Sequence, residues 1–301
     1  MKEGTLLLGA RLMGTSVNVT HTVFCPEIGP VCATRPEPAQ VHDQQFFIAE
    51  LRLLAELSMR DWLSAELQLP LRVSATTITF RRLDGTPFIP ESADIHHRNE
   101  VLVGLSDPWL QLRARLGSGA LRGSLSAGAT LPVGRTEPNP FALGRAGLVH
   151  QHIQFGSGLI NPLLGAEGSY AWERVTARMT GLAQLSLDQN LYGYQAGSRF
   201  LAGAGVSVRV VEGLMVGATV DSVTELPERW DGKVEQDGNV GRSDVLVGGQ
   251  VEWQVAGLVL SLSLRVPVFQ VFFDDAADSQ LRYPAMVGLG VSRSFDVASR
   301  E

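Results

Sequence analysis

From residue 63 the chain reads LSAELQLPLRVSA, and its side chains sort strictly in twos. Leu63, Ala65, Leu67, Leu69, Leu71 and Val73 share one face, and Ser64, Glu66, Gln68, Pro70, Arg72 and Ser74 share the other. A period of two is the signature of a β-strand with one apolar and one polar side. The pattern recurs in RVTARMTGLAQLSLDQN, LRGSLSAGATL and GLVLSLSLRVPV. Twelve such runs can be marked, at about 4–18, 44–58, 62–79, 98–116, 120–133, 151–170, 173–187, 198–211, 213–225, 243–254, 257–271 and 283–295. Many hold ten or more residues, where strands of ordinary domains have about five or six. A tilted strand needs about 9–11 residues to cross a bilayer.

The connectors sort as sharply as the strands. MRDW, GSG, AWER, VEG and QVAG are short, whereas 19–43, 80–97, 134–150, 188–197, 226–242 and 272–282 are longer and polar, and the two kinds alternate throughout. Transmembrane barrels alternate in this way, with short periplasmic turns and long extracellular loops. The expected fold is therefore all-β: a transmembrane, antiparallel, up-and-down β-barrel of about 12 strands. Closure removes the unpaired strand edges that hydrocarbon does not tolerate. The chain reads as one barrel domain over 1–301, with long extracellular loops at about 19–43, 80–97, 134–150 and 226–242 and both termini in the periplasm.

In such a barrel the apolar face meets lipid and the polar face lines the lumen. Glu50, Arg52, Glu56, Glu66, Arg72, Arg113, Arg115, Arg122, Arg178 and Arg209 fall on the inner face and are the candidate solute pathway. Gln68, Gln111, Gln250, Glu252 and Arg265 share it. A dry soluble core would bury these charges at great cost, and a wet or charge-paired lumen does not. Ladders of Arg and Glu also simply brace a wall. Aromatics lie near strand ends (Phe46, Phe47, Trp62, Phe80, Tyr170, Trp172, Trp253, Phe272, Phe273, Tyr283 and Phe295), as interfacial girdles require, although soluble β proteins gather them there too.

Charged residues are 19% of the chain and its net charge is −6, so nothing suggests nucleic acid. Cys25 and Cys32 flank a Pro- and Gly-rich turn. That spacing fits a local disulfide in an oxidising compartment. Two free loop thiols, or a metal site completed by His21, are the other readings. The N-terminal MKEGTLLLGARLMGTS lacks a sustained apolar core, so it is not expected to be a signal peptide. All six histidines lie in the first half. His96, His97, Arg98, His150 and His152 are expected at the extracellular mouth, as ordinary polar rim residues rather than metal ligands. No metal or cofactor is expected. FGSG at Phe155–Gly158 resembles no complete nucleophile motif.

VGLSDPWLQLRARL, LSAGATLPVGRTEP, IQFGSGLINPLLGAEGSY, RVPVFQ and MVGLGVSRSF resemble strands of the outer-membrane proteins associated with the meta-pathway of phenol degradation. The resemblance covers roughly residues 100–295. It implies an outer-membrane channel or transporter for hydrophobic or aromatic compounds. The chain departs from the usual ending of such barrels, because DVASRE follows Phe295.

The function expected from all of this is a Gram-negative outer-membrane channel for small compounds, hydrophobic or aromatic ones among them, and not an enzyme. Its partners would be the lipid bilayer, a small solute and the outer-membrane assembly machinery, and it would act as a monomer. A barrel enzyme acting on lipid, or a structural or adhesive barrel with ligand-binding loops, are the alternatives.

Overall fold

The computed structural model describes residues 2–23, 37–91, 95, 98–274 and 281–297. The wall is built from β1 (Thr5–Val23), β2 (Gln40–Arg60), β3 (Leu63–Arg82), β4 (Glu100–Leu105), β5 (Trp109–Leu116), β6 (Leu121–Thr130), β7 (Pro162–Trp172) and β8 (Val175–Gln184). It continues through β10 (Arg199–Val211), β11 (Leu214–Glu225), β13 (Arg242–Val255), β14 (Leu258–Phe272) and β15 (Met286–Asp296). Two short strands, β9 (Tyr194–Gln195) and β12 (Arg229–Trp230), pair apart from it. Neighbours in the wall are antiparallel, and β1 pairs with β15 from Thr5↔Asp296 to Gly14↔Val287, which closes the ring. Because β4 and β5 share one crossing, the ring is a 12-strand barrel.

Closure satisfies every strand edge within the membrane, and the pleat does the rest. On the outside Leu8, Leu53, Leu110, Leu112, Leu125, Val206, Val220, Leu262, Leu264 and Val291 are exposed, forming an apolar belt. An exposed belt of this extent is a lipid-facing surface rather than a packed core. Trp62, Tyr170, Trp172 and Trp253 ring it at the turn end. Phe47, Phe269 and Phe273 are exposed toward the loop end. The aromatic sorting expected from sequence is corrected at four positions. Phe46 shares the inner face with Glu50, and Phe80 packs on His42. Phe272 lies under Arg242, and Tyr283 donates its hydroxyl to Asp244.

Chain reversal at the turn end is tight. Glu173, Gly213, Ala256 and Gly257 all adopt positive φ there. The expected spans agree with the wall except at the sixth, where 151–161 is not strand and β7 begins only at Pro162. The fourth span is also interrupted. Ser106, Asp107 and Pro108 stand opposite Leu69 and Pro70, three residues against two, so the crossing bulges between β4 and β5. Each proline removes a ladder donor at this point.

The wall is uneven in height. β1, β2 and β3 run 19, 21 and 20 residues, whereas β6, β7 and β8 run 10, 11 and 10. Above the short strands lies segment 131–161, which contains α1 (Pro140–Arg145), capped by the Asn139 side chain. It interlocks with two other outer loops. Asn139 Nδ2 donates to Asp231 Oδ2 at 2.8 Å, and Asn190 Nδ2 donates to the Ser157 carbonyl at 3.0 Å. Trp230, 1% exposed, stacks against Tyr194 with 4.7 Å between ring centroids.

Candidate functional site

Register sets the inner face of each strand. Arg11 lies opposite Arg52, Glu50 opposite Arg72, Glu56 opposite Glu66, and Ser64 opposite Arg113. Arg115 lies opposite Ser124, and Arg122 opposite Ser169, which in turn faces Arg178. Arg209 follows the same parity near the turn end. All ten residues expected in the lumen share this inner surface. It brings most of them into ion pairs.

Near the turn end Arg115 Nη2 donates to Glu56 Oε1 at 2.6 Å, and the same oxygen accepts from Ser64 Oγ at 2.6 Å. Arg113 bridges two carboxylates, Glu66 at 2.7 Å and Glu167 at 2.9 Å. Gln68 donates to Glu66 as well. Glu66 is 3% exposed, a burial that only such partners make tolerable. At mid-height Arg52 binds Glu50 at 2.6 Å and lies 4.5 Å over the Trp109 ring. Farther along the wall Arg265 of β14 passes over Gly248 of β13, and its Nε donates to Asp221 of β11 at 2.6 Å. Toward the loops Arg199 pairs with Glu225 at 2.8 Å, and Arg242 Nη2 donates to Asp244 at 3.0 Å.

Two cavities follow the inner wall. The lower, of about 220 Å³, is lined by Glu56, Arg113, Arg115, Arg122, Glu167, Ser169 and Arg178, among others. The upper, of about 90 Å³, is lined by Trp109, Phe155 and Tyr194, by Arg52, Arg72 and Arg199, and by Glu50 and Asp107, among others.

The upper cavity is small because part of segment 131–161 enters the barrel. Arg72 Nη1 donates to the Gln154 carbonyl at 3.1 Å, and Phe155 is 4% exposed. A Cβ on inward-facing Gly104 would stand 3.0 Å from the Phe155 ring, so glycine lets the ring lie flat on the wall. Asp107 holds the segment in place. Its Oδ1 accepts from Gly134 N at 2.9 Å, and its Oδ2 accepts from Ser157 N at 2.7 Å and Ser157 Oγ at 2.9 Å. Ser157 Oγ also accepts from Asn161 Nδ2 at 2.7 Å. Gly134 and Gly156 meet backbone to backbone; a Cβ on Gly134 would be 2.7 Å from Gly156 Cα.

The sequence pattern gave no role to Asp107, Gly134 or Asn161 and raised Ser157 only as a nucleophile, not as an anchor. The one signal was Asp-Pro at 107–108 inside an otherwise regular strand.

The outer mouth is more than a polar rim. Arg98 binds Glu100 at 3.1 Å and donates Nη1 to the His150 carbonyl at 3.1 Å. The rings of His150 and His152 lie 5.1 Å apart, and His152 meets Phe141 at 5.0 Å. Both histidines sit in the inserted segment: His150 in the expected outer loop, and His152 not at the start of a strand, where the span 151–170 had placed it. Burial first, then the neighbouring His150, pulls the His152 imidazole down to about 4. A second pair, His21 and His42, faces across β1 and β2 with 5.0 Å between rings. His96, His97, Cys25 and Cys32 lie outside the described residues, so the expected disulfide does too. Among the described residues no group of three or more His, Cys, Asp or Glu is placed to hold a metal ion.

No family model matches the chain, and no curated protein matches it by sequence. Solved structures do. The TodX deltaS2S3 mutant, a monoaromatic hydrocarbon channel, is similar at a TM-score of 0.48 and 8% identity, over 98% of this chain and 91% of that one. An outer membrane channel from Pseudomonas putida F1 is similar at a TM-score of 0.60 and 11% identity, over 98% of this chain and 97% of that one. The second likeness runs end to end, and what it shows is the fold: an outer-membrane β-barrel.

Proposed function

We propose that the protein is a Gram-negative outer-membrane channel for small solutes, aromatic compounds bearing a polar group foremost among them. The carrying observation is the upper cavity, whose lining combines the rings of Trp109, Phe155 and Tyr194 with the guanidinium groups of Arg52, Arg72 and Arg199. Aromatic faces bind a ring, and guanidinium groups bind its oxygen substituent and stack on the ring itself. The charge-lined lower cavity continues the path toward the periplasm. Segment 150–157 narrows the path between the loops and mid-height, so passage requires it to shift. The whole chain serves as one monomeric barrel domain, seated by the outer-membrane assembly machinery, without a cofactor.

The lipid-acting enzyme reading has less support. Ser157 accepts from Asn161 and Leu159 N, and its one hydroxyl proton points to Asp107 or the Leu159 carbonyl. This is the bonding of a structural anchor.

The test is reconstitution of the purified protein in planar bilayers. Discrete conductance steps, reduced by millimolar phenol, are expected. A barrel that folds, shown by heat-modifiable gel migration, yet never conducts would overturn the reading.

A further inference from the structure

The lower cavity is cationic in a protein whose net charge is −6: Arg113, Arg115, Arg122 and Arg178 line it against only Glu56 and Glu167. The four arginines are not equivalent. Arg113 holds Glu66 and Glu167, and Arg115 holds Glu56. Arg122 uses its Nε on the Gly119 carbonyl at 3.1 Å and pairs with no carboxylate among the described residues; neither does Arg178. Both are exposed to the lumen.

Register fixes their relation. Arg122 pairs across β6 and β7 with Ser169, and Ser169 pairs across β7 and β8 with Arg178. Adjacent strands lie about 4.8 Å apart, so the two arginine Cα atoms stand about 10 Å from each other with a hydroxyl between them. All three residues line the lower cavity, so two guanidinium groups and a hydroxyl from that spacing are within reach of one small oxyanion held there. Carboxylates and phosphates both match such forks.

We infer that Arg122, Ser169 and Arg178 form a binding station for a small oxyanion at the periplasmic end of the lumen. A carboxylate leaving the channel and free periplasmic phosphate share this chemistry. The binding claim stands on the cavity alone, and only its role in passage rests on the channel reading.

The test is calorimetric titration of the detergent-solubilised, full-length protein with benzoate, inorganic phosphate and, as the neutral control, benzyl alcohol. At least one oxyanion is expected to bind, with affinity falling about tenfold or more in R122Q/R178Q, since each fork contributes charge-assisted hydrogen bonds. Benzoate binding assigns the site to passing carboxylates, and phosphate binding assigns it to the periplasm. Heat-modifiable migration confirms that the variant folds. High chloride should compete in the wild-type protein, a readout that needs no variant. No oxyanion binding, or binding equal in R122Q/R178Q, overturns the station. A protein that binds oxyanions through these residues but does not conduct would overturn the channel and leave the station intact.

Discussion

Asp107 and Ser157 lie fifty residues apart in sequence and meet through two hydrogen bonds to one carboxylate oxygen, from the Ser157 amide at 2.7 Å and its hydroxyl at 2.9 Å. The other oxygen takes the Gly134 amide at 2.9 Å. A bulge in the wall and both ends of the inserted segment are thus tied to one side chain. This tie holds the segment inside the barrel.

Replacing Asp107 by Ala should release the segment. Hydrogen bonds to a charged acceptor contribute about 1.5–3 kcal/mol each, and several are lost together. The expected result is a several-fold rise in single-channel conductance while the barrel still migrates as folded. Unchanged conductance would show that the segment does not limit the path.

Gly134→Val tests the same closure from the opposite side. The added Cβ would stand 2.7 Å from Gly156 Cα, and neither backbone can yield without parting. Conductance should rise as in D107A, and the double variant should add little, because both changes open one latch. Additive effects would mean two separate restraints.

Arg113→Ala strands Glu66, which is 3% exposed, without its cation. Removing one partner of a buried pair costs about 3–5 kcal/mol. Urea unfolding of the folded barrel should shift accordingly, and adding Glu66→Gln should restore most of the loss. If R113A unfolds like wild type, the pair carries no structural weight.

His152 makes the inserted segment acid-sensitive. Its packed imidazole titrates at about 4, below the ordinary 6.5, because burial disfavours its charge. Between those values the released side chain binds a proton and the packed one does not. Stability of the packed segment is therefore full above pH 6.5. It falls by up to about 1.4 kcal/mol per pH unit toward pH 4. Hydrogen exchange at 140–153, corrected for intrinsic rates, should quicken over that window and lose its excess pH dependence in His152→Phe, which keeps the contact with Phe141. Equal pH dependence in both proteins would refute this.

The barrel was legible because period two repeats in long runs. One strand such as 63–75 already separates Leu67 and Leu69 from Glu66 and Arg72, and twelve runs joined by alternately short and long connectors suit a closed wall in lipid. Inner-face membership was legible for the same reason: parity alone put Glu56, Arg115 and Arg178 on one surface. Parity also explains the errors. Phe80 lies near a strand end, where girdle residues are expected, yet it shares the inner parity of Glu66 and Arg72; Phe272 turns inward because a bulge at Val268 shifts the register of β14 and reverses its faces. For 151–161 the span was marked as strand, although LINPLLG already suggested a bulge or break around Pro162; β7 starts at that proline, and the chain before it finds its partners inside the barrel.

What local sequence determined was alternation, span and loop sorting, because each depends on backbone geometry within a few residues and on the contrast between lipid and water. What only the tertiary structure decided was partnership. Arg113 chose Glu66 and Glu167 rather than other carboxylates, Asp107 captured Ser157 and Gly134, and Arg122 and Arg178 were left facing each other across Ser169. Those choices follow from ring closure and register, which bring residues from distant strands within hydrogen-bonding distance and which no local pattern encodes.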